Sequence, residues 1–381
     1  MSEHGTRMVT SAVRLSFDVS AVPAHPDGSG RYTMDLAGAL VQRSDVKLTI
    51  LARNGDAARW QALARGAEVL SPAPGARPVR LAWEQVGLPR LLRRLPVDVH
   101  HAPHYTMPES ARLPRVVTIH DLTFFDHPEW HQRAKVSFFR RAIRVAARHA
   151  DALVCVSKAT ATRLGELCPP RSQVHVIPNG VDLNRFHPAP RGDQAILDSL
   201  GVRRPYVAFV GALEPRKDVP TLVRAFDRVA ATHPDLSLVV AGSGGWGAKA
   251  VDEAVTAATH RSRIVRTGYV PDDAVPALLR GAAAVAYPSL EEGFGLPALE
   301  ALACGAPLVT TTAAAMEEVV AGAALLVDPG DVDGLAGMID MLVRGDAGAE
   351  ARRQRGLAVA ARHTWAACAS AHVDVYRSVS G

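Results

Sequence analysis

Short runs of apolar, often β-branched residues alternate along the chain with longer segments in which apolar side chains recur at helical spacing. The short runs predict strands, and the longer segments predict amphipathic helices. Alternating strands and helices are typical of βαβ units, so the pattern predicts an α/β fold with parallel sheets. The predicted strands are Leu15–Ser20, Lys47–Ala52, Val97–His101, Arg115–Ile119, Ala152–Val156, His175–Ile177, Tyr206–Gly211, Leu236–Ala241, Ile264–Thr267, Ala284–Tyr287, Leu308–Thr311 and Leu325–Val327.

Each half of the chain contains enough of these units for a doubly wound sheet of its own. The prolines and polar residues of Phe186–Asp193 interrupt both periodicities and predict a linker. We therefore place a first domain at residues 1–188 and a second at 189–362, and residues 363–381 are predicted to form a helix that can cross back onto the first domain. Because ligands of open α/β sheets bind outside the carboxyl ends of the strands, two Rossmann-like domains should face a central cleft.

The composition narrows the class of protein only slightly. With 381 residues, of which 48% are hydrophobic, the chain can bury the cores of two domains. Its 43 lysines and arginines against 38 aspartates and glutamates allow an anionic partner. The four cysteines show no metal-binding spacing, and no apolar run has the length of a membrane helix or a signal sequence. We therefore expect a cytoplasmic protein without structural zinc, disulfides or a spanning helix.

The segment Pro288–Pro307 carries the most informative pattern, because it predicts a strand, a glycine loop and the start of a helix. Gly293 and Gly295 would let a ligand approach the backbone, where free N–H groups suit a diphosphate or a sugar hydroxyl. Glu292 and Glu300 can both face that ligand. Carboxylates repel a diphosphate, so their expected partners are hydroxyl groups. The alternative is that Glu300 only complements the helix dipole and Glu292 is a solvated loop residue.

Two further turns of the second half follow predicted strands. Gly211–Asp218 includes Arg216 and Lys217, which can neutralise a diphosphate or can simply be exposed basic residues of a turn. Gly242–Gly247 fits the G-x-G-x-x-G pattern, but the acidic residue that a dinucleotide site needs about 20 residues later is absent. We therefore expect this loop to approach a nucleotide sugar, with a plain glycine turn as the alternative.

Two segments of the first half lie where a parallel sheet binds its ligands. Pro26–Tyr32 follows the first strand, and its Gly28 and Gly30 can present backbone N–H groups to a phosphate. His120 and Asp121 end a buried strand. On the residues alone, the glycine segment can equally be a flexible connector, and a single histidine at the end of a strand is more often structural than catalytic.

Together these segments resemble the large family 4 of retaining glycosyltransferases with the GT-B fold. Glu292 and Glu300 match the two carboxylates of its E-x7-E signature, and the flanking Pro288-Ser289 and Gly-Phe-Gly-Leu-Pro run match as well. The matches extend from about residue 14 to 345. The resemblance implies transfer of a sugar from a nucleoside-diphosphate donor to an acceptor hydroxyl, with retention of the anomeric configuration and assistance from the leaving diphosphate.

The resemblance also implies that the first domain lies on the acceptor side and that the second domain binds the nucleotide sugar, and it implies roles for individual residues. Arg216 and Lys217 hold the donor pyrophosphate and stabilise the charge that builds on it, and Glu300 binds the ribose hydroxyls. Glu292 binds the transferred sugar, and His120 positions that sugar. The other donor contacts that it implies are Gly28, Gly30, Gly211, Gly242, Val270, Gly293, Phe294, Gly295 and Leu296. No D-x-D pair stands in a loop, so we expect no required divalent metal and no cofactor beyond the sugar donor.

One departure from the family pattern concerns Asp218, which stands where the family commonly has asparagine. An acidic side chain next to a phosphate site leaves its own role open.

The donor and acceptor are predicted less directly. Residues 120–131 are similar to bacterial mannosyl- and rhamnosyltransferases, which favours GDP-mannose, with a UDP- or dTDP-sugar as the alternative. The acceptor is expected to be a glycan or a lipid-linked sugar. A basic amphipathic segment, Arg133–Arg148, and a second basic cluster at Arg90, Arg93 and Arg94 can dock on the anionic inner face of a membrane. The segment can equally be a surface helix with extended arginines.

Two other classes of protein remain open on the sequence. A nicotinamide-dependent oxidoreductase would explain paired α/β domains but would leave Glu292, Glu300, Arg216 and Lys217 without a role. A non-catalytic protein that binds nucleotide sugars would keep every donor residue and lack turnover. Nucleic-acid binding is not expected, because no aromatic platform is interleaved with the basic residues.

Overall fold

The computed structural model describes residues 11–24, 26, 28–189, 192–242 and 244–381. Its first sheet has seven parallel strands in the order β3-β2-β1-β4-β5-β6-β7. Chain order reverses between β1 and β4, and such a switch point places a ligand-binding crevice at the carboxyl ends of these strands. The strands are β1 (Val13–Asp18), β2 (Val46–Arg53), β3 (Glu68–Ala73), β4 (Val99–Ala102), β5 (Arg115–Ile119), β6 (Ala152–Cys155) and β7 (Gln173–Val176).

Helices cover both faces of this sheet. They are α1 (Gly28–Val41), α2 (Ala57–Leu63), α3 (Arg77–Leu92), α4 (Thr123–Asp126), α5 (Arg133–His149) and α6 (Lys158–Leu167). Helix α5 buries Val136, Phe139 and Ile143, which recur at helical spacing, so its apolar face belongs to the core of the first domain. Ser157 caps α6 by accepting a hydrogen bond from the Thr160 amide at 3.1 Å.

The second sheet has six parallel strands in the order β10-β9-β8-β11-β12-β13. They are β8 (Tyr206–Val210), β9 (Ser237–Ala241), β10 (Ile264–Gly268), β11 (Ala284–Tyr287), β12 (Leu308–Thr311) and β13 (Leu325–Val327). Its helices are α7 (Asp193–Ser199), α8 (Val219–Ala230), α9 (Ala248–Ala257), α10 (Val275–Gly281), α11 (Leu296–Ala303), α12 (Ala314–Val320), α13 (Val332–Arg344) and α14 (Ala349–Arg362). Chain order reverses between β8 and β11, which places a second crevice at this sheet.

The last helix, α15 (Trp365–Ser380), packs against α1, β1 and β4 of the first domain. The return begins where the Val181 amide donates to the His363 carbonyl at 2.8 Å and the Thr364 hydroxyl accepts from the Ala367 amide at 3.1 Å. The first domain is therefore built from two distant parts of the sequence.

The expected α/β fold with two Rossmann-like domains is confirmed, but two elements differ from the sequence prediction. Strand β3 was missed because it is a partly exposed edge strand that contains Pro72, so it lacks a buried apolar run. Helix α1 begins at Gly28 and not at Tyr32, because its glycine-containing first turn gives no helical signal. The predicted glycine loop is correspondingly shorter, and its Asp27 lies outside the described residues.

Candidate active site in the central cleft

A cleft of about 1190 Å³ lies between the two sheets and is lined by both domains. Asp18 ends β1 and His120 follows β5 of the first sheet, and Gly211 and Gly242 follow β8 and β9 of the second. The cleft therefore lies at the carboxyl ends of both sets of strands, as expected. All predicted site residues line it, namely Gly28, Gly30, His120, Gly211, Arg216, Lys217, Gly242, Val270, Glu292, Gly293, Phe294, Gly295, Leu296 and Glu300.

The glycine loop before α11 lies at a contact between the two domains. A side chain at Gly293 would overlap the His120 carbonyl oxygen, so only glycine permits this approach. The Thr160 hydroxyl of the first domain donates to the Gly293 carbonyl at 3.2 Å. Gly295 has a φ of 105° and leads directly into α11, whose first residues also line the cleft. The loop thus brings a helix N-terminus next to His120.

Glu292 lies between the two cations of the β8 loop. Its carboxylate accepts from Arg216 Nη1 at 2.5 Å, from Lys217 Nζ and from the Ser289 hydroxyl at 2.9 Å. Burial alone would raise the pKa of Glu292, but the charges of Arg216 and Lys217 outweigh it and lower the pKa to about 2. Glu292 is therefore a permanent anion that holds both cations in place.

This ion-pair cluster differs from the sequence argument, which paired Glu292 with hydroxyl groups of the sugar. Arg216 also donates to Glu214 at 2.7 Å, so two carboxylates face two cations. Burial, with the neighbouring charge of Arg216, lowers the pKa of Lys217, while Glu292 opposes the shift. A diphosphate that binds here must therefore compete with Glu292 and Glu214 for the two cations.

Glu300 lies in a different charged environment. Burial raises its pKa to about 7, although Arg31 and Arg185 oppose the shift. Arg185 Nη2 lies 3.8 Å from Glu300 Oε1. Arg31 of α1 also reaches across the cleft to Asp272 of the second domain at 2.5 Å. Burial likewise raises the pKa of the nearby Asp35 to about 6.

His120 is buried, with 8% of its surface exposed. Its Nε2 donates to the Pro103 carbonyl at 2.8 Å, and because a carbonyl can only accept, this nitrogen carries the proton. The Tyr32 ring meets the His120 ring edge-on, with centroids 4.9 Å apart. The Asp121 carboxylate accepts from the Thr123 amide at 3.1 Å and hydroxyl at 2.7 Å, at the start of α4. The bond to the Pro103 carbonyl therefore fixes the protonated nitrogen of His120.

A buried polar network links this position to α15. The Tyr32 hydroxyl lies 2.9 Å from His372 Nε2 and 3.0 Å from the Thr118 hydroxyl. His101 Nε2 lies 2.8 Å from the same threonine, and its Nδ1 lies 2.7 Å from the Tyr376 hydroxyl. Sequence reasoning missed this support for His120, because its members are far apart in the chain.

A second group that the sequence analysis missed lines the cleft beside α3. Its members are Asp18, Arg80, Glu84 and Thr106. Glu84 is 7% exposed and accepts from the Thr106 hydroxyl at 3.0 Å. Burial and the neighbouring charge of Asp18 raise the pKa of Glu84 to about 8. No local motif marks these residues.

Two sequence features have structural explanations. Side chains at Gly242, Gly245 and Gly247 would meet the carbonyls of Gly211 and Leu213, so these glycines let the loop pack against the β8 loop, whereas Gly244 has open space around it. Ser243 of this loop lies outside the described residues. Asp218 has a left-handed φ of 45°. Aspartate and asparagine adopt this conformation more readily than other non-glycine residues, which explains their exchange at this position.

Two basic residues of α5 are engaged at the surface of the first domain. Arg140 donates to the Phe124 carbonyl at 2.7 Å, and Arg141 bonds Glu109 at 2.6 Å. Among the residues that the structure describes, none of the helices is long and apolar enough to cross a membrane. Within the same ranges, no group of three or more His, Cys, Asp or Glu side chains is arranged to hold a metal ion.

Comparison with known proteins identifies both halves of the chain. Residues 26–185 match the family described as "Glycosyltransferase Family 4", and residues 198–358 match "Glycosyl transferases group 1". The chain is 29% identical over 304 residues to O-antigen chain mannosyltransferase B of Escherichia coli, which covers 79% of this chain and 77% of the relative. It is 30% identical over 302 residues to glycogen synthase of Mycobacterium tuberculosis, covering 73% of this chain and 68% of the relative.

Solved structures agree with the fold. The chain superposes on the Anabaena protein HepE in complex with UDP-glucose with a TM-score of 0.78, at 21% identity, covering 96% of this chain and 99% of the other. This likeness supports the arrangement of two Rossmann-like domains. From the two successive family matches and the relatives aligned over most of their length, the chain belongs to the glycosyltransferases of the group 1 and family 4 type.

Proposed function

We propose that this protein transfers a sugar from a nucleoside-diphosphate donor to a hydroxyl of a glycan or glycolipid acceptor, with retention of configuration, and that mannose from GDP-mannose is the favoured case. The observation that carries the proposal is the pair of cations, half-buried Arg216 and buried Lys217, which Glu292 fixes beside the α11 N-terminus in the same cleft as His120. A fixed group of positive charges suits a leaving diphosphate.

The cations act on the charge that develops during transfer. As the bond from the sugar to the diphosphate breaks, negative charge builds on the diphosphate, and the Arg216 guanidinium and Lys217 ammonium stabilise it. The N–H groups at the start of α11 add a positive dipole end. Because Glu292 already holds both cations in place, little reorganisation is needed at the moment of reaction. The diphosphate oxygen then helps to take the proton from the acceptor hydroxyl.

The two remaining residues of the proposal position the donor. Glu300, as a carboxylate, accepts hydrogen bonds from the ribose hydroxyls. His120, held by its bond to the Pro103 carbonyl, forms the wall against which the transferred sugar lies. The proposed reaction needs no metal, because the positive side chains supply the charge that a divalent ion would otherwise provide.

Two lines of support bear on the donor. The E. coli relative is a mannosyltransferase by name, and residues 120–131 resemble mannosyl- and rhamnosyltransferases. The Anabaena structure holds UDP-glucose, so a UDP-sugar is the second candidate. The two share a diphosphate and a ribose, which are the groups that Arg216, Lys217 and Glu300 are proposed to bind.

A thermal-shift screen with GDP-mannose, UDP-glucose, UDP-N-acetylglucosamine, dTDP-rhamnose, GDP, UDP and NAD tests the donor. A ligand at 100 times its Kd adds about 2.7 kcal/mol to the free energy of unfolding. Stabilisation by GDP and GDP-mannose alone supports mannosyl transfer, and stabilisation only by uridine or thymidine nucleotides replaces the donor while keeping the reaction. Stabilisation by NAD alone would refute the proposal. Turnover of the donor, with the product anomer read by NMR, separates an enzyme from a binding protein.

We further propose that the protein works on the cytoplasmic side of a membrane when its acceptor is lipid-linked. The apolar face of α5 is buried in the first domain, so contact with lipid would rest on charge alone, through exposed side chains such as Arg133, Arg144 and Arg148. Sedimentation with vesicles of phosphatidylglycerol at low salt, reversed at high salt, is the expected result. Binding that persists at high salt would contradict it.

A further inference from the structure

A chain of hydrogen bonds runs through the core of the first domain between α15 and α1, close to His120. Each of its side chains is buried, and it joins α15 to α1, β4 and β5. We call it the α15 network, and its members are Tyr32, His101, Thr118, His372 and Tyr376. Because buried polar groups are satisfied by their partners, the position of each hydrogen follows from the contacts.

The direction of the hydrogen bonds begins with one backbone contact. His372 Nδ1 lies 2.8 Å from the Cys368 carbonyl, and because a carbonyl can only accept, this nitrogen carries the proton. The Nε2 atom of a neutral His372 is then an acceptor, so the Tyr32 hydroxyl donates to it at 2.9 Å. Since this uses the only hydrogen of that hydroxyl, the Thr118 hydroxyl must donate to Tyr32 at 3.0 Å.

The other half of the network follows in the same way. Because the Thr118 hydroxyl donates to Tyr32, its oxygen accepts from His101 Nε2 at 2.8 Å. The Nδ1 atom of a neutral His101 is then an acceptor, and the Tyr376 hydroxyl donates to it at 2.7 Å. Every hydrogen therefore points along one path that begins and ends in α15, and the two histidines are in opposite tautomers.

Both histidines of the network are neutral. The rings of His101 and His372 stack with centroids 5.5 Å apart, and two positive charges so close together in the core would repel each other. Burial lowers the pKa of both rings, to about 4 for His372. The direction of the hydrogen bonds is therefore kept at neutral pH.

Tyr32 connects the α15 network to His120. Its ring meets the His120 ring edge-on with centroids 4.9 Å apart, and the Trp365 ring of α15 lies 6.0 Å from it, also edge-on. Thr118 stands two positions before His120 along β5, so the two side chains lie on the same face of the sheet. A displaced Tyr32 ring would therefore take away one of the contacts that hold the imidazole.

We propose that α15 positions His120 through this network, with Tyr32 and His372 as positioning residues for the transfer reaction. The inference rests on the proposed role of His120 and adds to it two side chains that do not line the cleft. A role in stability alone would lower the Tm without changing turnover by the folded protein. Positioning instead lowers kcat while donor affinity is kept.

NMR of protein labelled with ¹⁵N-histidine tests the network without turnover. We expect His372 to carry its proton on Nδ1 and His101 on Nε2, with His372→Gln and His101→Gln used to assign the signals. The Nε2 proton of His120, which bonds the Pro103 carbonyl, reports positioning. It should exchange with water about tenfold faster in His372→Leu than in the parent protein.

Kinetics test the effect on transfer. Tyr32→Phe keeps the ring and removes the hydroxyl, and His372→Leu removes the acceptor, so each should lower kcat about tenfold with the donor Kd within about twofold. His372→Gln offers a carbonyl oxygen to Tyr32 and should keep at least about half of kcat. Tyr206→Phe is the matched control, because it removes a buried bond to the Leu278 carbonyl at the start of β8, far along the chain from His120, and should retain kcat.

Three results would overturn the inference. They are opposite tautomers in the parent protein, an unchanged kcat in both Tyr32→Phe and His372→Leu, and a loss of donor affinity in place of kcat. If His372→Leu does not fold, Tyr32→Phe decides both the exchange rate and the kinetics. A parent protein that neither binds nor turns over any donor would refute the proposed function, and the tautomers and the His120 exchange rate would still decide the positioning.

Discussion

The cleft has a Glu292 end, with Arg216 and Lys217, and a Glu300 end, with Arg185. Both carboxyl groups are largely buried and are separated by seven residues, yet their pKa values shift in opposite directions. Contact with Arg216 and Lys217 outweighs burial at Glu292 and lowers its pKa to about 2. At Glu300 burial outweighs more distant cations such as Arg185, and the pKa rises to about 7. Burial alone therefore does not decide the charge of a carboxyl group, and direct contact with two cations does.

The difference gives the two ends opposite effects on stability. An unfolded glutamate has a pKa of about 4.3. Because the folded pKa of Glu292 is lower, its contribution is present above pH ~4.3 and is lost as the pH falls toward 2. Because the folded pKa of Glu300 is higher, its contribution to the free energy of unfolding falls as the pH rises from ~4.3 to 7. The cleft thus combines a permanent anion with a group that titrates near neutral pH.

The largest expected effect is at the Glu292 end. Arg216→Ala removes a cation that is proposed to stabilise the leaving diphosphate and leaves Lys217 as the cation on Glu292, so kcat/KM should fall by about 10²- to 10³-fold. Steady-state kinetics measure the loss. Arg228→Ala, on an exposed position of α8, is the matched control and should retain full activity. A loss of less than threefold in Arg216→Ala would contradict a role at the diphosphate.

His120→Ala tests the residue that is proposed to position the transferred sugar. The variant removes the side chain that is proposed to position the transferred sugar, and it keeps the proposed contacts to the nucleotide. We therefore expect kcat to fall roughly 10- to 100-fold with the Kd of the donor nearly unchanged. Rapid-quench kinetics and calorimetry separate the two quantities. The exposed His149→Ala serves as the control. A large change in donor Kd without a change in kcat would move His120 from the sugar to the nucleotide.

Glu300→Gln tests the titrating end. Replacing the carboxylate weakens its hydrogen bonds to ribose, so the Kd of the donor should rise about tenfold at pH 8. In the parent protein, donor affinity should increase as the pH rises through 7 and Glu300 loses its proton, and in the variant this dependence should disappear. Calorimetry at pH 6 and pH 8 measures both, with the exposed Glu350→Gln as control. Equal affinities at the two pH values in the parent protein would refute the assignment.

The smallest expected effect comes from a contact that involves neither Glu292 nor Glu300. Glu318 of α12 accepts from the Lys158 amide at 2.9 Å and so caps α6 of the other domain. Glu318→Ala should cost about 1 kcal/mol of unfolding free energy and lower the Tm by about 2–4 °C. Donor affinity should change by the same small factor in the parent and in Glu300→Gln backgrounds. The neighbouring Glu317→Ala is the control, and unequal factors would mean that the cap acts on one end only.

The parts of the site that the sequence predicted are those encoded in one short segment. One strand is followed by Glu292, Gly293 and Gly295, and another is followed by Arg216 and Lys217. The local pattern and the resemblance were therefore sufficient to predict that these residues line the cleft. The ion pair between Glu292 and the two cations was not predicted, because Lys217 and Glu292 are 75 residues apart and only the packing of β8 beside β11 brings them together.

The unpredicted residues have no local signal for a physical reason. Asp18 and Glu84 lie on different elements, and their shared position depends on where α3 crosses the sheet. Tyr32 and His372 are 340 residues apart and look like ordinary members of amphipathic helices. Edge strand β3 was missed for the same kind of reason, since a half-exposed strand has no continuous apolar run. The fold class depends on repeated periodicity, whereas these contacts depend on the assembled tertiary structure.

The return of α15 to the first domain has a consequence for how the chain is made. Tyr376 and His372 complete the buried polar network behind His120, and they follow both sheets in the sequence. Domains generally fold in the order of their synthesis. The buried polar groups of the first domain that bond α15 nevertheless lack these partners until the second domain has been translated. A newly made chain can therefore complete the polar network behind His120 only after all the described strands of both sheets have been synthesised.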